Sequence, residues 1–413
     1  MKGVTTKILH TKLPKNDPHG SIHMPIYGNV SFEFETSKEL ADAFNGRINK
    51  HIYSRISNPT VSYFEKRIKS ITDGLGVLAL SSGMGAIANV ILTLVGAGDN
   101  IVCTKYVFGN TYSLLKYTLS KYNIETRFVD PQNYKEIEEA IDAKTRLIFL
   151  ESITNPQLYV TDFERVAKIA KNYKVLLVAD TTATPPPIFR AKDFGIDIEV
   201  ISSTKFISGG ATSVGGLIID YGSYKWSNNP YLYDDYKKFG PYAFISKLRN
   251  EVFRNIGACL SPYNAYLQSL GLETIQLRVE KACKNALVVA EYLNGISKVK
   301  NVRYPRLKNY PDYTLAKKFF PDYQGAILTF ELSSEKECFE FMDNLKIIKK
   351  STNIHDNRTL IIHPASTIFC EYPKKERERL GVTDSMIRLS VGIEDVEDIL
   401  EDLDNALKGI GGD

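Results

Sequence analysis

Long hydrophobic runs are absent. Nowhere do about 18 apolar residues follow one another, so no membrane-spanning helix is expected. The N-terminus is polar and shows no apolar h-region, which argues against a signal peptide and makes the reduced cytoplasm the expected compartment. Cysteine is sparse: five residues (Cys103, Cys259, Cys283, Cys338, Cys370) are scattered with no C-x-x-C spacing, so neither a disulfide framework nor a zinc site is indicated. The six histidines show no H-E-x-x-H spacing. A strong charge of one sign is also missing; a net charge of +4 is too small to suggest nucleic acid. Neither G-x-x-x-x-G-K-[ST] nor G-x-G-x-x-G occurs, which disfavours nucleoside triphosphates and dinucleotides.

What is present is an ordinary globular composition, 43% hydrophobic and 24% charged, over 413 residues, long enough for two or three domains of ~150 residues. Residues 1–60 have little hydrophobic periodicity and are punctuated by Pro14, Pro18, Pro25 and Pro59, so they read as an extended arm. Strand-like runs then alternate with helical ones. Strands are expected near Val77–Leu80, Asn100–Cys103, Glu125–Val129, Leu147–Leu150, Val175–Val178, Ile198–Ile201 and Gly216–Ile219. That alternation predicts a largely parallel sheet covered on both faces, over residues 61–259. Residues 260–413 read as a smaller α/β domain with helices near Tyr263–Leu270, Leu277–Leu293 and Glu394–Leu407. The mixed run Lys374–Arg379 reads as a solvated face, and His363 as a buried structural histidine.

Polar clusters close several of these strands. The run Ile198–Ile201 ends in Ser202-Ser203-Thr204-Lys205, placing a lysine at the carboxyl end of a buried strand. A lysine in partly apolar surroundings loses proton affinity and can form a Schiff base, although a lone lysine after a strand is more often solvated. Ser81-Ser82-Gly83-Met84 opens a helix after the first strand, offering free amides to a phosphate or simply capping the helix. Asp180 closes a third strand, and Glu151–Asn155 follows a fourth. Arg55 has the fork that suits phosphate or carboxylate, and it also stands in a turn signalled by Asn58-Pro59. Together a lysine, a carboxylate and a glycine turn on one sheet edge suit a phosphorylated pyridine aldehyde.

At this point the chain resembles the cysteine/methionine-metabolism family of pyridoxal-phosphate enzymes, from about Pro25 to Leu407. The matches are Tyr53-Ser54-Arg55 with Asn58-Pro59-Thr60, Ser82-Gly83-Met84, Glu151-Ser152 with Thr154-Asn155-Pro156, Asp180-Thr181-Thr182, Ser202 with Thr204-Lys205, Leu260-Ser261-Pro262, Gly271–Thr274, His363–Thr367 and Arg388–Gly392. The resemblance implies a fold type I transferase-like α/β architecture with a mostly parallel seven-stranded sheet. It implies pyridoxal 5'-phosphate held by Lys205, with Asp180 on the ring nitrogen and Asn155 near the phenolic oxygen. Gly83, Met84, Ser202 and Thr204 would take the phosphate, Thr182 would lie beside the cofactor, and Phe108 would stack on its ring. Tyr53 and Arg55 would reach the phosphate of a neighbouring subunit in a tetramer of tight dimers. Arg388, with Asn353, would bind the substrate.

The departures from the family pattern bear on the reaction. Phe108 stands where a tyrosine is usual, and Asn110 where methionine γ-lyases commonly have a cysteine. Ile201 and Gly210 replace common histidines. In Asn353–Leu360 the Ser-Leu-Gly-Gly-x-Glu-Ser-Leu pattern of many cystathionine enzymes gives way to asparagine at 353 and arginine at 358. This pattern is similar to O-acetylhomoserine sulfhydrylases. It implies a methionine-biosynthetic transferase that performs γ-replacement on O-acetyl- or O-succinylhomoserine with sulfide or a small thiol. Methionine or cystathionine γ-elimination is the alternative, and a cofactor-binding scaffold on the same fold a third.

Overall fold

The computed structural model describes residues 3–13, 17 and 19–410. Pro14 and Pro18, read above as punctuation, lie outside the described residues. The arm carries two short helices that the weak periodicity did not reveal, α1 (Val4–Leu9) and α2 (Ser37–Phe44). Ile8 of α1 is buried in one core with Phe64 and Ile68 of α3 (Pro59–Thr72). The Asn58 side chain caps α3 by accepting the Thr60 amide at 2.9 Å, and Pro59 takes the first helical position, where its missing N–H costs nothing.

Seven strands form the main sheet: β1 (Gly76–Leu80), β2 (Asn100–Thr104), β3 (Glu125–Val129), β4 (Thr145–Glu151), β5 (Leu176–Asp180), β6 (Ile198–Ile201) and β7 (Gly216–Asp220). Their order is β1-β7-β6-β5-β4-β2-β3. Only β7 runs antiparallel to its neighbours; β2 through β6 pair in parallel. Alternate residues face opposite sides. Leu78, Phe149, Val178 and Val200 pack with Ile87 and Ile91 of α4 (Gly83–Leu94). Ala79, Val102, Leu177, Ile201 and Leu217 enter the other core, which continues into the C-terminal part. The strand runs are apolar on both sides because both faces are covered.

The second sheet has the order β10-β11-β12-β9-β8, from β8 (Lys300–Arg303), β9 (Ile327–Glu331), β10 (Lys349–Lys350), β11 (Leu360–Ile362) and β12 (Met386–Ser390). β8 and β10 had no legible sequence pattern; they are short, charged edge strands, with half-exposed or exposed residues. The helix Pro262–Glu273 joins the Lys205 loop through contact of Gly271 with Gly209, where a Cβ on Gly271 would come within 2.3 Å of the Ile207 carbonyl. The solvated reading of Lys374–Arg379 holds for Lys374, Lys375, Glu378 and Arg379, which are exposed, and needs correction at two residues: Glu376 is gripped by Lys116 and by the Tyr112 hydroxyl at 2.8 Å, and Arg377 pairs with Asp384 at 2.7 Å. His363 is buried, with Nδ1 on the Ser366 hydroxyl and Nε2 on the Asp384 carbonyl, as the structural reading requires.

Candidate active site

The β1, β4, β5 and β6 ends meet on one edge of the main sheet. Register fixes this: Glu151 lies opposite Asp180, Asp180 opposite Val200, and Leu80 and Ile201 both reach the same end of β7. A cavity of about 290 Å³ opens there. Its wall combines Ser82–Met84, Phe108, Asn155, Asp180, Thr182, Ser202, Thr204, Lys205 and Arg388 with the apolar Ile87, Ile153, Val214 and Ile354.

Ser82 caps α4 by accepting the Gly85 amide at 3.0 Å, and the Gly83 and Met84 amides keep no acceptor among the described residues. The approach is close: a Cβ on Gly83 would come within 2.7 Å of the Ser202 Cβ, and one on Gly216 within 2.1 Å of the Ser82 carbonyl oxygen. Ser202 is tied back by its own amide, which donates to the Thr182 hydroxyl at 2.8 Å. Thr204 lines the cavity, but its hydroxyl is spent on the backbone of Gly215 at 3.1 Å in both directions.

Asp180 accepts the Thr182 amide on Oδ1 at 2.8 Å, which leaves Oδ2 for a donor. Burial pushes its carboxyl above the usual range, against the opposing pull of the Thr182 hydroxyl and amide. Such a group favours a neighbouring N–H or cation.

Lys205 is the other pole of the cavity. Burial, and then repulsion from Arg388, push its ammonium down to about 8, with Asp356 pulling the other way. Its Nζ donates to Asn353 Oδ1 at 2.6 Å. Arg388 is 2% exposed and, among the described residues, has no carboxylate partner. Its Nη1 donates to Asn155 Oδ1 at 3.2 Å, its Nη2 to the Thr352 and Asn353 carbonyls at 3.0 and 3.1 Å, and its Nε is unpartnered. Burial holds its guanidinium down at about 9. A buried guanidinium bonded only to neutral oxygens is costly unless an anion joins it.

Not every expected residue is brought to this cavity. Tyr53 and Arg55 do not line it; Arg55 bonds the Arg254 carbonyl and stacks 5.3 Å over the Tyr53 ring. Asn110 is exposed and faces a different groove, with Cys370. Arg358 points outward, its side chain 69% exposed and 3.4 Å from Asp356. The Asp356 carboxylate accepts the Arg358 amide at 3.0 Å, so the turn draws the carboxylate inward and leaves the guanidinium in solvent. The sequence reading passed over Glu151 as a site residue. It is buried, accepts the Phe108 amide at 2.6 Å and the Asn155 amide at 3.3 Å, and so fixes two cavity residues at once. Its position at the end of an apolar strand was the available signal.

The donor set fits a pyridine aldehyde phosphate: free helix amides for the phosphate, a buried carboxylate with one open oxygen for the ring nitrogen, and a lysine of reduced proton affinity. Residues 5–408 match the family described as Cys/Met metabolism PLP-dependent enzyme. The chain belongs to this family. The O-acetylhomoserine sulfhydrylase of Wolinella succinogenes, whose structure is solved, is 50% identical to it, over 85% of this chain and 97% of that one, with a TM-score of 0.77. A putative O-acetylhomoserine (thiol)-lyase of Campylobacter jejuni, solved with N'-pyridoxyl-lysine-5'-monophosphate, is 32% identical over 98% of this chain and all of that one, with a TM-score of 0.92. An L-methionine gamma-lyase of Fusobacterium nucleatum is 36% identical over 99% of this chain and 98% of its own length. The fold type I architecture and the dependence on pyridoxal phosphate follow from this membership. No helix among the described residues is long and apolar enough to cross a membrane.

Proposed function

We propose that this enzyme catalyses γ-replacement on O-acetylhomoserine with sulfide or a small thiol, giving homocysteine or methionine and acetate. The observation that carries the reading is the buried Arg388, without a carboxylate partner among the described residues, lining one cavity with Lys205. Its fork would hold the substrate α-carboxylate. Asp180 would hold the ring nitrogen of the cofactor, Phe108 would cover one ring face, and Asn155 would sit near the phenolic oxygen. The Gly83 and Met84 amides with the Ser202 hydroxyl would hold the phosphate, and Thr204 would join them by turning its hydroxyl proton away from the Gly215 carbonyl. When bound at Lys205, pyridoxal phosphate supplies an aldehyde for the substrate amine and a ring that draws electrons from Cα.

Lys205 Nζ then has the protons to move. It would take one from Cα, hand that proton to the bound cofactor to hold, and so be free to take a second from Cβ as acetate leaves Cγ. Hydrosulfide adds to Cγ, and the two protons return to the carbons. The depressed proton affinity of Lys205 leaves a useful share of free amine near neutral pH. The apolar wall of Ile87, Ile153, Val214 and Ile354 limits water at the reacting carbons. Arg388 is the one guanidinium among the described lining residues, and with the substrate carboxylate in place none is left for that of a cysteine co-substrate, which favours sulfide.

The same reading makes residues 1–60 an arm, 61–259 the cofactor domain and 260–413 the C-terminal domain of a cytoplasmic tetramer of tight dimers. Exposed Ile22, Val30 and Phe44 on the arm support burial against another subunit. The test is a mass-spectrometric assay of the holoenzyme with O-acetylhomoserine, O-succinylhomoserine and methionine, with and without sulfide. O-acetylhomoserine plus sulfide should give homocysteine much faster than O-acetylhomoserine alone gives 2-oxobutanoate. Rapid degradation of methionine with indifference to sulfide would establish γ-elimination instead, the activity named for the Fusobacterium relative.

A further inference from the structure

Phe206 directly follows Lys205 and is itself buried. His355 lies flat on its ring, with centroids 4.0 Å apart and planes 12° apart. The imidazole is 1% exposed, and its backbone has φ +53°, a conformation that side-chain-bearing residues seldom adopt. Its amide donates to the Ser390 hydroxyl at 2.7 Å, two residues beyond Arg388 on β12. Its Nε2 accepts weakly from the Ala326 amide at 3.5 Å, and its Nδ1 has no hydrogen-bond partner among the described residues. The position is therefore costly in conformation and in hydrogen bonding, yet the side chain does not line the cavity.

The same short segment carries both polar anchors of the site. Asn353 Oδ1 accepts Lys205 Nζ, while the Thr352 and Asn353 carbonyls accept Arg388 Nη2. The other end of Phe206 is held too: its carbonyl accepts Arg278 Nη1 at 2.7 Å. The His355–Phe206 stack thus joins the Lys205 loop to the segment that sets Arg388. We propose that His355 is a positioning residue that fixes the spacing of Lys205 and Arg388, and so the placement of the amino-acid substrate between them. This rests on the roles of Lys205 and Arg388 given above.

His355→Gly and His355→Asn both tolerate a positive φ and both lose the ring. Cofactor affinity of the apoprotein, measured by fluorescence titration, should stay within about threefold, because neither ring lines the cavity. Because a small misplacement of reacting groups is costly, KM for O-acetylhomoserine should rise and kcat fall, each about tenfold. The affinity of the holoenzyme for glycine, read from the cofactor spectrum, should weaken with KM. Phe206→Leu combined with His355→Asn should be no worse than either alone, because the two rings act as one unit. Full additivity, an unchanged KM, or parallel loss of cofactor affinity and thermal stability would overturn the assignment. Borohydride reduction of wild type keeps the two readings apart: a pyridoxyl label on a peptide other than that of Lys205 defeats the function itself, whatever His355 does.

Discussion

Glu199 permits a quantitative test of how this sheet tolerates charge. It lies in the middle of β6, wholly buried, opposite Ala179 on β5 and Ile219 on β7. Its carboxyl is wedged between two hydroxyls, Thr181 Oγ1 on one oxygen and Tyr221 OH on the other, with no cation paired to it among the described residues. Burial pushes it from 4.5 up to about 7, against the pull of both hydroxyls, and the Asp180 charge adds to the rise. A carboxyl whose folded value is raised binds its proton more tightly in the folded state. Its contribution is therefore lost as pH rises from about 4.5, and the loss is complete above about 7. Taken over that interval the loss is about 3 kcal/mol. Glu199→Gln keeps the shape and cannot ionise. Scanning calorimetry of the two apoproteins should find similar midpoints at pH 5, and a variant more stable than wild type by about 4 °C at pH 8 for a chain of this size. Asp197 and Asp220, also raised by burial, are common to both proteins and cancel in the difference. A gap that does not change with pH, or one that favours wild type at pH 8, would refute the reasoning.

Three further outcomes are expected. Arg388→Lys keeps a charge but loses the fork, and should raise KM for O-acetylhomoserine by about ten- to a hundredfold, the worth of a charged hydrogen bond; an unchanged KM in steady-state kinetics places the carboxylate elsewhere. Gly83→Ala brings a methyl group into contact with Ser202, so equilibrium dialysis should show at least about tenfold weaker cofactor binding; wild-type affinity would remove this turn from the phosphate site. Inactive Arg55→Ala and Lys205→Ala proteins should regain part of their activity when their subunits are mixed, because a hybrid dimer unites an intact lysine with an intact arginine. No recovery after subunit exchange verified by native mass spectrometry would argue against a shared site.

The sequence by itself determined the main sheet and most of the site. Apolar β-branched runs ending in Ser202–Lys205, Asp180 and Ser82–Gly83 mark strand ends by local chemistry alone, and the helices Ile275–Asn294 and Val396–Lys408 fall close to where periodicity puts them. The family motifs are local as well, so Lys205, Asp180 and Arg388 could be named before their neighbours were known. Local signals also have a limit. The helices α1 and α2 and the edge strands β8 and β10 are short and weakly patterned, and tertiary contact rather than propensity holds them. Direction was decided only by the tertiary structure. Arg358 and Asp356 are two residues apart, yet the turn between them keeps the carboxylate buried and leaves the guanidinium in solvent. Glu151 became a site residue because pairing in register set it beside Asp180, and its oxygens reach amides 43 and 4 residues away. His355 stacks on a ring 149 positions earlier in the chain, a contact with no signature in sequence spacing, because packing alone brings those two segments together.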